Sequence, residues 1–139
     1  MRVLTTGESD IPGSKWGAQP VLHSLVKNGV QVFEYERGVL HAKTVIVDGV
    51  YSSLGTYNFD DWSDFRNLEM NVSAYGRDYA AKLTEHFDED LGVSRQLTLK
   101  DFESRSVVQR SLQNVALYVN KMPNFLESDR WREHLKTDC

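Results

Sequence analysis

Apolar residues along the chain follow two periods, and the switches between them lay out a series of short elements. Val3 to Thr5 reads as a short buried strand, closed by a turn built from Gly7, Ser9, Asp10, Pro12 and Gly13. Val21, Leu22, Leu25 and Val26 recur at helical spacing and predict a helix from about Lys15 to Asn28, stopped by Gly29. Val30 to Tyr35 alternates as a strand with Val30, Val32 and Glu34 on one face, and Arg37-Gly38 breaks it. Lys43 to Val47 is β-branched and mostly apolar, which predicts a central strand. Asp48-Gly49 is a strong hairpin signal, with Tyr51 to Leu54 as the returning strand.

Gly55 to Phe65 is polar and turn-rich, with room for one short helical turn. Leu68 to Ala74 alternates again and places Leu68, Met70 and Val72 on one side. Tyr79 to Leu91 predicts an amphipathic helix with a stripe of Ala80, Leu83, Phe87 and Leu91. Thr98 and Asp101 resemble a capping box, with Asp in place of the usual Glu. The helix they open is expected to run to about Met122, where Pro123 ends it. Its stripe of Val108, Leu112, Val115, Val119 and Met122 reads as core or as an interface. Arg105, Arg110 and Lys121 flank that stripe and leave docking on a membrane surface as a second use for it. A last short helix is expected over Asp129 to Lys136. Strand-helix-strand, then a hairpin, then a flanking helix together predict an α/β sandwich.

Composition narrows the class. A chain of 139 residues fits one domain that can bury a core without disulfides or metal. A net charge of -4 argues against a dedicated nucleic-acid binder, which needs a basic stripe. The one cysteine, Cys139, is the last residue and has no internal partner. There is no apolar run long enough to span a membrane, and the first residues, Met-Arg-Val-Leu-Thr-Thr-Gly, carry no signal-peptide pattern.

The chemistry concentrates in His41-Ala42-Lys43-Thr44-Val45-Ile46-Val47-Asp48-Gly49. On a strand, His41 and Lys43 point to the same face, so an imidazole and an ammonium meet the same anionic group. The lysine neutralises phosphate charge, and the histidine attacks or moves a proton near neutral pH. Asp48 falls at the hairpin and is expected to fix the turn. A second cluster follows in Gly55-Thr56-Tyr57-Asn58-Phe59-Asp60, then Ser63, Asn67 and Glu69. Gly55 permits close backbone approach. Thr56 and Asn58 offer neutral donors to phosphate oxygens. Glu69 is expected on a strand, in a position to accept a hydrogen bond from the far nitrogen of His41 and set its tautomer.

These motifs resemble the phospholipase D superfamily. The pattern is His-x-Lys-x4-Asp-Gly, then Gly-(Ser/Thr)-x-Asn-(Phe/Leu)-Asp, then Asn-x-Glu. Within that superfamily, Leu40-His41-Ala42-Lys43, Asn58-Phe59-Asp60 with Ser63, Asn67-Leu68-Glu69 and Ser94 to Leu99 are most similar to bacterial-type cardiolipin synthases and related phosphatidyltransferases. A His-x-Lys pair alone would be two polar residues on a surface strand; the downstream cluster is what makes the combination specific. The full motif occurs once. His23 and His86 lack a lysine two residues on, and His134, which has Lys136 at that spacing, shows none of the rest of the motif within these 139 residues.

The resemblance implies one half of an α-β-α sandwich with a mixed sheet, followed by C-terminal helices. Residues 1–97 would form the phospholipase D-like domain, lacking that half's first strand and helix, and 98–139 a helical extension. It implies an active site assembled from two halves, with a phosphohistidine intermediate and neither metal nor cofactor. His41 is then nucleophile or general acid/base, Lys43, Thr56 and Asn58 hold phosphate, and Glu69 orients His41. Asp48, Gly55, Asp60, Ser63 and Asn67 shape the motif. The implied substrate is a phospholipid such as phosphatidylglycerol, and the implied partner a second His-Lys half, by dimerisation or from another chain. Nucleic acid is not expected, and the location would be peripheral on a membrane or cytoplasmic. Two other readings stay open: a single-motif homodimeric phosphodiesterase or nuclease, and a non-catalytic fragment or partner subunit.

Overall fold

A computed structural model describes residues 1–8, 14–57 and 68–119. Its first layer follows from the opening apolar pattern. Strand β1 (Arg2–Thr6) runs parallel to β2 (Gln31–Tyr35), and helix α1 (Ser14–Lys27) connects them. Parallel neighbours need such a crossover, and Gly29, at φ 81, turns the chain out of α1 into β2. Strand β6 (Ser94–Leu97) pairs antiparallel on the other side of β2, so the sheet is mixed, in the order β1-β2-β6. Leu22 of α1, Val32 of β2 and Leu97 of β6 meet Phe102 to form the buried core, with Val3, Ala18, Leu25, Val26 and Val30 packed around it. Val32 is 0% exposed, as the central strand of a covered sheet requires.

A second, antiparallel sheet is built by β3 (Lys43–Val47), β4 (Tyr51–Gly55) and β5 (Asn71–Tyr75), in the order β3-β4-β5. Helix α2 (Arg77–Gly92) lies against β4. Small side chains allow this approach: Ser52 on β4 and Ala80 on α2 are both fully buried. Leu83, Phe87 and Leu91 of the expected stripe are half-buried on the same helix. The fold is therefore the mixed α/β architecture that the resemblance implied.

Three expectations about these elements need correction. β3 is an edge strand of its sheet among the described residues, and β4 takes the central place. Its β-branched composition reflects a half-buried face, with Thr44, Val45 and Ile46 all partly exposed. Pairing in β5 begins only at Asn71, so Leu68, Glu69 and Met70 precede the strand. The alternation seen from Leu68 onward is real, but it faces solvent, with Val72 58% exposed. The helix opened by Thr98 is short, α3 (Leu99–Glu103), and a second helix, α4, covers 107–119.

Side-chain chemistry explains the break after α3. Ser106 and Gln109 form a reciprocal cap: the Gln109 amide donates to the Ser106 hydroxyl at 3.2 Å, and the Ser106 amide donates to Gln109 Oε1 at 3.1 Å. The α4 stripe is not core, since Val108 is 68% and Val115 57% exposed. Met122, Pro123 and the helix expected at 129–136 lie outside the described residues.

Arg95 ties these pieces together. Its guanidinium donates to Glu34 of β2 at 2.8 Å and to Asp101 of α3 at 2.7 Å. Asp101 also accepts from the Thr98 amide at 2.7 Å and the Thr98 hydroxyl at 2.6 Å. The Thr98 bonds, with help from Arg95, hold the Asp101 carboxyl down at about 2. A carboxyl depressed in the fold stabilises fully above its ordinary value of 3.8 and loses that contribution as pH falls toward about 2. Replacing Asp101 by Asn is therefore expected to destabilise at pH 7 by about 1 kcal/mol, the usual worth of a helix cap. The gap should narrow as pH falls through that window. Urea unfolding midpoints at several pH values test this, and parallel profiles for the two proteins would refute it.

Candidate active site

The site is organised by the β3–β4 hairpin. Asp48 and Gly49, at φ 52 and 62, both occupy the left-handed region, and the Val50 amide donates to the Val47 carbonyl at 3.1 Å. Two consecutive left-handed residues fit the right-handed twist of the strands, which is why Asp-Gly works here. Lys43 opens β3 at the far end, five residues away, or about 17 Å along a strand. Asp48 thus lies in the turn itself, at the opposite end of β3 from Lys43.

His41 lies just before β3 rather than in it. The pair still comes together: Lys43 Nζ is 2.9 Å from His41 Nδ1 and donates to the His41 carbonyl at 2.7 Å. The lysine folds back over the residue two before it, so contact does not depend on a shared strand face. His41 is exposed and Lys43 half-exposed. An ammonium and an imidazole side by side on an open surface can bind an anion and act on it with one ring nitrogen.

Lys43 is in register with Gly55 of β4, and Gly55 with Asn71 of β5. Gly55 has no room for a side chain. A Cβ there would sit 1.8 Å from Asn71 Oδ1 and 2.3 Å from the Met70 carbonyl oxygen. The close approach expected at Gly55 is thus made by Asn71 and Met70. The next residue extends the contact. The Thr56 amide donates to the Met70 carbonyl, and the Met70 amide donates to the Thr56 hydroxyl, both at 3.0 Å. The Tyr57 amide donates to Asn71 Oδ1 at 3.3 Å. These bonds pin together the two ends of the segment between β4 and β5, and they place Glu69 beside Thr56.

The Thr56 hydroxyl therefore serves the backbone as an acceptor and keeps one O–H to donate. Glu69 is half-buried and precedes β5. Asn58, Asp60, Ser63 and Asn67 lie outside the described residues. Asn71 is a site residue that sequence reasoning missed. The signal was available in part, because a glycine at a strand end that must admit a neighbour implies a neighbour directly across the sheet. Among the described residues no three His, Cys, Asp or Glu side chains cluster as a metal site would require. A half-open cleft lies elsewhere, between α1 and α4, lined by Gln19, His23, Phe102, Arg105 and Gln113. The His41–Lys43 pair sits outside it, on an open face.

This fold and this pair of motifs define a phospholipase D-type domain. A solved structure of a phospholipase D family member, Nuc from Salmonella typhimurium, superposes with a TM-score of 0.63, covering 70% of this chain and 63% of that one at 17% identity. Residues 1–91 match the family described as "Cardiolipin synthase, PLD-like domain", and the chain belongs to that family. A cardiolipin synthase of Clostridium perfringens (strain SM101 / Type A) is 33% identical over 122 residues, covering 88% of this chain and 26% of that protein. One from Staphylococcus aureus (strain N315) is 36% identical over 107 residues, covering 77% of this chain and 22% of the relative. The chain thus spans about a quarter of the length of these relatives.

Gly55→Ala is expected to displace Asn71 and strain the Met70 carbonyl, lowering stability by about 1–3 kcal/mol as overpacking does. Adding Asn71→Ala should recover only part of the loss, because the carbonyl clash remains. Thermal unfolding of the single and double variants checks this, and an unchanged midpoint for Gly55→Ala would refute it.

Proposed function

We propose that this chain supplies one half of a phosphodiester-transfer site acting on glycerophospholipids, and that His41 and Lys43 handle the phosphate. The contact between Lys43 Nζ and His41 Nδ1 at 2.9 Å carries the reading. It brings a fixed cation and a titratable nucleophile within reach of one phosphoryl group. The family membership and the cardiolipin synthase relatives support the lipid substrate, with phosphatidylglycerol as the natural candidate.

In the first step, Nε2 of one histidine attacks phosphorus and the bond to the leaving glycerol oxygen breaks. The histidine of the second half protonates that oxygen. In the second step, an incoming alcohol or water gives its proton to that second histidine and displaces the first, which restores the phosphodiester or releases a phosphate monoester. Lys43 has two partners in this scheme. In the absence of substrate it donates to Nδ1, which leaves the ring proton of a neutral His41 on Nε2. A substrate phosphate draws the ammonium to its own oxygens. Nδ1 can then carry the proton, and Nε2 presents a lone pair to phosphorus. Glu69, beside Thr56, is the proposed acceptor for Nδ1–H, and Thr56 and Asn58 are the proposed neutral donors to phosphate oxygens.

A second His-Lys half completes the site, from a second copy or from another chain. The open position of His41 and the exposed Tyr75, which the strand register puts on the same face of the sheet as Lys43, support a partner on this side. Residues 1–97 are the proposed catalytic unit and 98–139 its helical extension, with Phe102 of α3 anchoring the extension in the core. No described helix is long and apolar enough to cross a membrane; contact of this domain with a lipid surface is inferred from its proposed substrate alone.

The test is incubation of the purified chain with labelled phosphatidylglycerol, followed by trapping of phosphohistidine. Label on His41, absent from His41→Ala, is the expected result. Lys43→Ala should lower the labelling rate by a factor on the order of 10²–10³, the usual loss when one transition-state donor is removed. Labelling that survives His41→Ala would overturn the assignment. A folded chain that takes no label alone, but does so with a second half added, would place the missing chemistry in the partner.

A further inference from the structure

The connection from β2 to β3 spans residues 36–42 and has no regular structure, yet it delivers His41 to the site. It also crosses from one sheet to the other, so strand pairing cannot set its height. One side chain bridges that gap. The Leu40 amide, immediately before His41, donates to the Thr6 hydroxyl at 3.2 Å. Thr6 closes β1, in the other sheet. Its hydroxyl in turn donates to the Glu8 carbonyl. Accepting from one backbone group and donating to another leaves the hydroxyl little rotational freedom. A valine of the same shape could do neither.

The neighbouring residue supplies an independent observation. The Gly7 amide donates to the Tyr35 carbonyl, the end of β2, at 3.0 Å. A Cβ on Gly7 would lie 2.5 Å from that carbonyl oxygen. The Lys15 ammonium donates to the Gly7 carbonyl. The end of β1 is therefore held against the end of β2, at the point where the 36–42 connection begins. Its start is fixed through Gly7 and its finish through Thr6.

We propose that Thr6 is a positioning residue for His41, acting through the Leu40 amide to set where the imidazole stands over the substrate phosphate. The proposal deepens the reading of His41 given above and rests on it for its catalytic consequence. Its structural content is independent of that reading. Phosphoryl transfer demands in-line approach, and a displacement of about 1 Å at the reacting atom can slow a reaction on the order of 10²-fold. The Thr6 hydroxyl is bonded to the Leu40 amide and the Glu8 carbonyl, so its influence on His41 passes through the backbone and should fall on turnover rather than on substrate affinity.

The experiment compares Thr6→Val and Thr6→Ser with the unaltered 139-residue chain. Leu40 amide exchange and the ¹⁵N shifts of the His41 ring nitrogens are read by NMR in each. In the unaltered chain the Leu40 amide should exchange more slowly than the amides of the exposed residues Val39 and Ala42. Comparable exchange would overturn the proposal without any variant. In Thr6→Val the Leu40 protection should disappear and the ring shifts should move, while the Gly7 amide stays protected. Thr6→Ser should restore both signals. Where the assembled protein turns over phosphatidylglycerol, Thr6→Val should lower kcat about 10- to 100-fold with KM little changed, and Thr6→Ser should recover it. Ring shifts that do not respond to Thr6→Val would sink the positioning role whatever the activity. Responsive ring shifts in a chain that takes no phosphohistidine label and turns over no phosphatidylglycerol even with a second half added would sink the phosphodiester reading instead and leave the positioning role standing.

Discussion

Glu34 lies on the central strand of the mixed sheet, on the same face as the buried Val32, and its residue is only 7% exposed. A carboxylate in that place is strongly unfavourable unless a cation meets it. Arg95 does, from the directly opposing position on β6. The pairing has consequences beyond the two residues. It requires β6 to lie beside β2 in one register, because a shift by one residue would turn Arg95 to the other face. The correct register also buries Leu97 opposite Val32. The guanidinium then reaches Asp101, which caps α3 and so brings Phe102 into the core. One buried charge thereby orders a strand that lies 61 residues away along the chain, together with the helix that follows it.

The second sheet is ordered by contact rather than by charge. Its hairpin turn is local chemistry, with two left-handed residues that Asp and Gly adopt readily. Its third strand is brought in by the absence of a side chain at Gly55 and by the reciprocal bonds between Thr56 and Met70. The result places the start of β3, the end of β4 and the approach to β5 at one edge. All the described motif residues except Asp48 gather there.

How much of this could be read from the sequence follows the range of the interaction responsible. β1, α1, β2, the β3–β4 hairpin and α2 come from periodicity and turn residues, signals that span a few positions, and these were legible to within one or two residues. So was the Thr98–Asp101 cap. The break at Ser104 and Arg105 was missed although its signal was local: Ser106 and Gln109 form the same kind of box, read past because the apolar stripe runs on through it. The edge position of β3 was not legible, since a half-buried edge strand and a covered central strand share a β-branched composition. Asn71 was legible only in part, through the glycine it packs against, and Thr6 not at all. Each acts on a residue at least 14 positions away, across a sheet or between sheets, and a single sequence does not say which residue makes such a contact.

This division has a consequence for the site itself. His41 is exposed and Lys43 only partly covered, so the groups that would carry chemistry contribute little to holding the fold together. The residues that fix their geometry are of the opposite kind. Gly55 and Gly7 are defined by a lack of space, and the Thr6 hydroxyl by two backbone partners. Stability and reactivity therefore reside in different residues that meet at one edge of the molecule. A surface histidine can be tuned by a second half docking over it without disturbing the core, because its height is already set from below by Thr6 and Leu40. The arrangement suits a site that is completed from outside. The described residues supply an ordered base and an open face, and under the proposed function the enclosure that phosphoryl chemistry needs would come from a second half bound there.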